Sequence, residues 1–234
     1  MNKKKLWFSL CFNIVIVILT IIGLGIAVFD AQTMNTPYAM LLKYFTTLSN
    51  LFLFVAAVIM IVYEALLLAN KTKLIPNWVS VVKLSATVST TITFLVVVFF
   101  LLPMALTNKE QEYSPAFLFV NSNLIFHVFN PLLGVVGFLL FDNEKKSIKL
   151  PQTLFALIFV GCYEIFYTLD VFLKFMPGDG PTAHDWYNFT VFGNQFIPLI
   201  LILFICLSFL ISLLLWLGNK KINLFKKQKR TATK

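Results

Sequence analysis

The chain has 234 residues, of which 59% are hydrophobic and only 12% charged, with a mean hydropathy of +0.86. Soluble domains sit nearer half apolar and about a quarter charged, so this composition excludes one; six spans of about 20 residues would fill roughly 120–140 positions and leave only short loops. The net charge of +9 does not mark a nucleic-acid binder, because the basic residues flank apolar runs and form no separate basic module.

Apolar runs predict six helices near 6–29, 45–69, 80–102, 116–141, 153–174 and 194–217. Runs this long must be helical, since the backbone has no other hydrogen-bond partner in hydrocarbon. The expected fold is all-α: one polytopic membrane domain over 1–234. Pro37, Pro76, Pro103, Pro115, Pro151 and Pro177 fall at or between span ends, as helix breakers should. The first run follows Lys3, Lys4 and Lys5. It exceeds a signal peptide's apolar core of about 7–15 residues and lacks a small-x-small cleavage site, so it reads as an uncleaved anchor.

The second run opens with Thr46, Thr47, Ser49 and Asn50; Thr46, Ser49 and Asn50 stand at i, i+3 and i+4, on one helical face. Glu64 near its far end and Lys83 near the start of the third run are expected to snorkel to the interface. The third run's hydroxyls, Ser85, Thr87, Ser89, Thr90, Thr91 and Thr93, suit close helix packing. In the fourth run Asn123, His127 and Asn130 make a polar stripe, and counting from Pro115 puts His127 ~18 Å down the helix, near the bilayer centre. The fifth carries Glu164, Tyr167 and Asp170, and His127 is the expected partner of Glu164. The segment 176–193 is rich in turn residues and aromatics; Trp186, Tyr187 and Phe189 fit an interfacial aromatic belt better than a lid. Asn188-Phe189-Thr190 matches a glycosylation sequon. Cys11, Cys162 and Cys206 lie inside apolar runs as packing residues, with no spacing for a disulfide or a metal, and no cofactor motif is present.

With the N-terminus inside, all of the 19 basic residues except Lys43, Lys109 and Lys174 fall on the cytoplasmic side, which predicts an N-in, C-in topology. The count includes Lys71, Lys73, Lys145, Lys146 and Lys149 in loops and the tail 218–234. That basic tail is expected to touch anionic lipid. The near-absence of Arg against Lys suggests an AT-rich genome and hence a bacterial cell membrane.

Ionisable groups inside a span cost about 2.5–3.5 kcal/mol each, so they normally serve a purpose. Thr46 and His127 lie at comparable expected depth on helices running in the same direction. A hydroxyl nucleophile with an imidazole base is one chemistry this supports; Glu164 or an Asn would orient the imidazole, and Asn50 or Asn123 would meet oxyanion charge. Packing hydroxyls and a hydrogen-bonded His are the plainer reading. A proton- or cation-coupled transporter using His127, Glu164 and Asp170 is the rival, and a non-catalytic membrane scaffold is a third.

The run KYFTTLSNLF in the second span and NLIFHVFNPLLGVVGFLLFD in the fourth resemble the six-span androgen-induced and androgen-dependent membrane proteins and their bacterial relatives. The resemblance covers the layout of nearly the whole chain, including DWYNFTVFG before the last helix. It implies a hydrolase of fatty acid esters of hydroxy fatty acids, with a lipid-ester substrate in the membrane. The family's threonine nucleophile falls on Thr46, with Thr47 an adjacent competitor, and its histidine on His127. Ser49 and Asn50 mark the bacterial-type variant.

Overall fold

The computed structural model describes residues 3–33, 38–107, 118–141, 148–174, 176, 183–187 and 189–232. Pro37, Lys109, Pro115, Lys145, Lys146, Pro177 and Asn188 lie outside the described residues, and with Asn188 goes the sequon.

Six helices are long and apolar enough to cross a membrane: α1 (Lys3–Thr33), α2 (Phe45–Leu68), α3 (Asn77–Leu101), α4 (Asn121–Leu140), α5 (Leu150–Leu173) and α6 (Ile197–Ala232). They follow the expected runs with shifted ends. A 3₁₀ turn, Leu150–Phe155, starts α5, and α6 continues through the basic tail as far as Ala232. The largest correction is in α4, where regular helix begins at Asn121 rather than 116. His127 therefore stands six residues, ~9 Å, from that helix end and not at mid-span.

The helices alternate in direction, so both termini share one end of the bundle, called here the terminal end; the other is the loop end. The terminal end is laced together across elements. Trp216 Nε1 donates to the Ile148 carbonyl at 2.6 Å, Ser212 Oγ to that of Thr153 at 2.9 Å and Asn219 Nδ2 to that of Phe138 at 2.7 Å. Cys11, Cys162 and Cys206 point out of the bundle and do not pack in it.

Helix α3 is the centre: 56% of its apolar window is buried, against 22–44% in the others. Its sequence explains this. Small and hydroxylated side chains let neighbouring backbones approach, and the hydroxyls bond back to their own helix, Ser85 to the Val81 carbonyl and Ser89 to that of Ser85, both at 3.0 Å.

Two π turns share one cause. Val97–Leu101 and Ile125–Phe129 each end two residues before a proline, Pro103 and Pro131. In the second, the Asn130 N–H reaches back to the Ile125 carbonyl, and Pro131 has no N–H to offer. The Phe126 carbonyl thus loses both of its helical donors and needs one from outside the helix.

Candidate functional site

That donor is Asn50. Its Nδ2 donates to the Phe126 carbonyl at 3.1 Å and to the Thr46 carbonyl at 2.8 Å, while its Oδ1 accepts from Asn130 Nδ2 at 2.9 Å. Asn130 Nδ2 also reaches Thr20 Oγ1 on α1 at 2.9 Å, and Ser49 Oγ meets Thr93 Oγ1 on α3 at 3.2 Å. Four helices thus meet in one polar layer. Asn50, Asn130, Ser49 and Thr20 are all fully buried. The α4 stripe is interrupted by the π turn. Asn130 turns to α1 and α2, Asn123 is half-buried, and His127 bonds elsewhere.

His127 is 6% exposed. Its Nδ1 lies 2.8 Å from the Leu118 carbonyl; since a carbonyl only accepts, Nδ1 carries a proton, which in the neutral ring leaves the lone pair on Nε2. The structure forms no hydrogen bond from His127 to Thr46, Thr47 or Glu164 among the described residues. The expected His127–Glu164 pair is therefore corrected. The Glu164 Oε1 is buried and accepts no hydrogen bond.

Toward the loop end lies a cavity of about 570 Å³ between α2, α3, α5 and α6, within the size range of small-molecule sites. Thr46 and Glu164 are on its wall, with Thr93, Tyr163, Tyr167 and Tyr187; Leu199, Leu203, Phe204 and other apolar side chains make up most of the rest. Thr47 is buried and off the lining, as is His127. Tyr163 OH bonds to the Lys43 carbonyl at 2.7 Å and receives Trp186 Nε1 at 3.1 Å. Tyr187 OH accepts from the Phe45 N–H at 2.8 Å. No such bond engages the Thr46 hydroxyl among the described residues, so Thr46 and Glu164 keep polar capacity toward the cavity.

The roof comes from the segment before α6, and it corrects the aromatic-belt expectation. Trp186, Tyr187 and Phe189 fold inward on Tyr167, with ring centroids 5.0–5.7 Å away. Asp185 anchors the fold: it accepts the Tyr167 hydroxyl, the Phe189 and Thr190 N–H groups at 3.0 and 2.9 Å, and Thr190 Oγ1 at 2.5 Å. Burial opposes its ionisation, yet the bonds from Thr190, Tyr167 and Phe189 hold its carboxyl below the usual range. Burial pushes the Tyr187 phenol up to about 12. Lys43, counted among the outer-side charges, is fully buried. Its Nζ donates to the Ala183 carbonyl at 2.8 Å, pairs with Asp170 at 3.7 Å and lies 5.4 Å from the Trp186 ring. Asp170 also accepts the Met176 N–H at 2.7 Å and faces His184 Nδ1 at 3.3 Å. Asp170 is thus occupied with the roof, away from Glu164.

A second buried charge cluster occupies the terminal end. Glu64 and Lys83, expected at the interface, are both 0% exposed. Lys83 Nζ donates to Asn13 Oδ1 at 2.7 Å, Asn13 Nδ2 reaches the two Glu64 carboxylate oxygens at 3.3 and 3.4 Å, and Ser9 Oγ donates to Glu64. Among the described residues no group of His, Cys, Asp and Glu is arranged to hold a metal ion.

Compared with family models, curated proteins and solved structures, the chain matches none.

Proposed function

We propose that the protein is a lipid-ester hydrolase embedded in the membrane, with both termini on the cytoplasmic side of a bacterial cell membrane. One observation carries this reading: a largely apolar cavity of about 570 Å³ has an uncommitted hydroxyl, Thr46, on its wall. Such a space suits an acyl chain, and the hydroxyl is placed for attack on the ester that ends it. Thr46 Oγ1 adds to the ester carbonyl while a base takes its proton. The alcohol leaves with that proton, and water then cleaves the acyl-threonine. The resemblance to the androgen-induced membrane hydrolases supports the same nucleophile and names His127 as the base, and the Nε2 lone pair suits that role.

One specific observation favours a different base. Glu164 lines the cavity and His127 does not, so a Glu164 carboxylate is the second reading for the proton acceptor. The transporter alternative is less well supported, because His127, Glu164 and Asp170 share no hydrogen bond among the described residues and Asp170 is committed to Lys43, His184 and Met176.

Labelling of the purified protein with a fluorescent fluorophosphonate or an activated ester tests the proposal. Thr46→Ala is expected to lose labelling and Thr47→Ala to keep it. Loss in His127→Ala or in Glu164→Gln names the base. A folded wild type that takes no label overturns the hydrolase reading.

A further inference from the structure

We infer that the cavity takes a single-chain lipid carrying both an acyl carbonyl and a free hydroxyl, of the monoacylglycerol class, and that this lipid enters sideways between α3 and α6. The inference rests on the reading of this cavity as the lipid site, though not on the cleavage step.

Sideways entry follows from which lining residues are exposed. Phe100 on α3 is 42% exposed, and Leu199 and Leu203 on α6 are 52% and 59% exposed. On the α5 side Val160 and Tyr167 are each 2% exposed, and Tyr163 and Glu164 are half-buried. Above, Tyr187 and Phe189 of the roof held by Asp185 and Lys43 line the cavity. The open wall is therefore the one that faces lipid.

The ligand's polar end follows from which lining groups keep capacity. The Tyr163, Tyr167 and Tyr187 hydroxyls are used within the roof, and Thr93 is paired with Ser49. Thr46 retains a hydroxyl able to donate to a carbonyl, and the Glu164 carboxyl, on the lining, makes no hydrogen bond among the described residues. A carboxyl without a partner in an apolar wall is costly, and a ligand that brings a donor to its cavity side relieves it. A carbonyl for Thr46 together with a hydroxyl for Glu164 describes a hydroxyl-bearing acyl ester. A ligand carboxylate would place a second acidic group against Glu164 and is disfavoured.

The test compares two photoreactive probes with the same diazirine-bearing acyl chain, a 1-monoacylglycerol and a methyl ester, on the full-length Thr46→Ala protein in lipid nanodiscs. The monoacylglycerol is expected to label about tenfold better, the worth of one hydrogen bond of about 1.4 kcal/mol. That preference is expected to vanish in Thr46→Ala/Glu164→Leu, a change that removes an unsatisfied polar atom and so does not threaten folding. Labelled peptides are expected to include Leu199 and Leu203. Equal labelling by the two probes, a preference unchanged by Glu164→Leu, or label away from α6 overturns the inference. Nucleophile labelling of the wild type together with any of these results leaves the hydrolase reading standing alone. Intact discrimination with no nucleophile labelling leaves only the recognition standing.

Discussion

The two buried charge clusters, one at each end of the bundle, are built for different tasks. At the terminal end Lys83, Asn13, Ser9 and Glu64 bond to one another through side chains on α1, α2 and α3. At the loop end Asp185, Lys43 and Asp170 bond largely to the backbone of the connecting segment, through the N–H groups of Met176, Phe189 and Thr190 and the carbonyl of Ala183. The first clamps helices to each other. The second fastens a loop over a cavity, tying it to α5 through Asp170 and Tyr167. The same chemistry thus gives global stability at one end and local closure at the other.

Breaking the terminal-end cluster is expected to have the largest effect. Lys83→Ala leaves Glu64 and Asn13 buried without their cation, at a cost of about 3–5 kcal/mol. Thermal unfolding in detergent is expected to show a large drop in midpoint, with the double change Glu64→Leu/Lys83→Met recovering most of it. A single variant as stable as wild type would show that the cluster is not a clamp. Next comes the polar layer: Asn50→Ala orphans the Phe126 carbonyl and should cost about 1–3 kcal/mol, read in the same assay.

Asp185→Asn sharpens the contrast. Amide exchange across 183–193 is expected to quicken about tenfold or more while the unfolding midpoint stays close to wild type; a large fall in midpoint would mean that the roof also clamps the bundle. The smallest effect is the pH dependence of the roof. The Asp185 pKa is depressed on folding, so its contribution is present above the ordinary carboxylate value of about 3.9 and is lost as pH falls through the folded value. The Tyr187 pKa is raised to about 12, so its contribution is full below about 10 and is lost between there and about 12. Trp186 fluorescence is expected to stay flat between these limits and to change outside them.

Six spans were legible because hydropathy is a property of each stretch alone. Positions that depend on two or three helices meeting were not. Glu64 and Lys83 sit near helix ends, where snorkelling is the ordinary outcome, and nothing local shows that Asn13 and Ser9 on α1 stand ready to receive them. Trp186 and Tyr187 read as belt residues because their inward partners, Tyr163 and Tyr167, lie some twenty positions away. Asn50 and Asn130 were legible as polar residues worth marking, but not as partners. Pro131 was the available signal for the π turn that shifts His127 off the expected stripe. Counting His127 from Pro115 misplaced it because regular helix starts six residues later.

The sideways mouth proposed for the cavity sets a boundary condition on what the protein can sample. Its lining comes from the first turns of α2 and α6, the last turns of α3 and the loop-end half of α5, all within one half of the bundle's height. Exchange through such a mouth draws from one monolayer only. If the cavity takes lipid as proposed, whatever enters or leaves alters the composition of that leaflet and leaves the opposite one untouched.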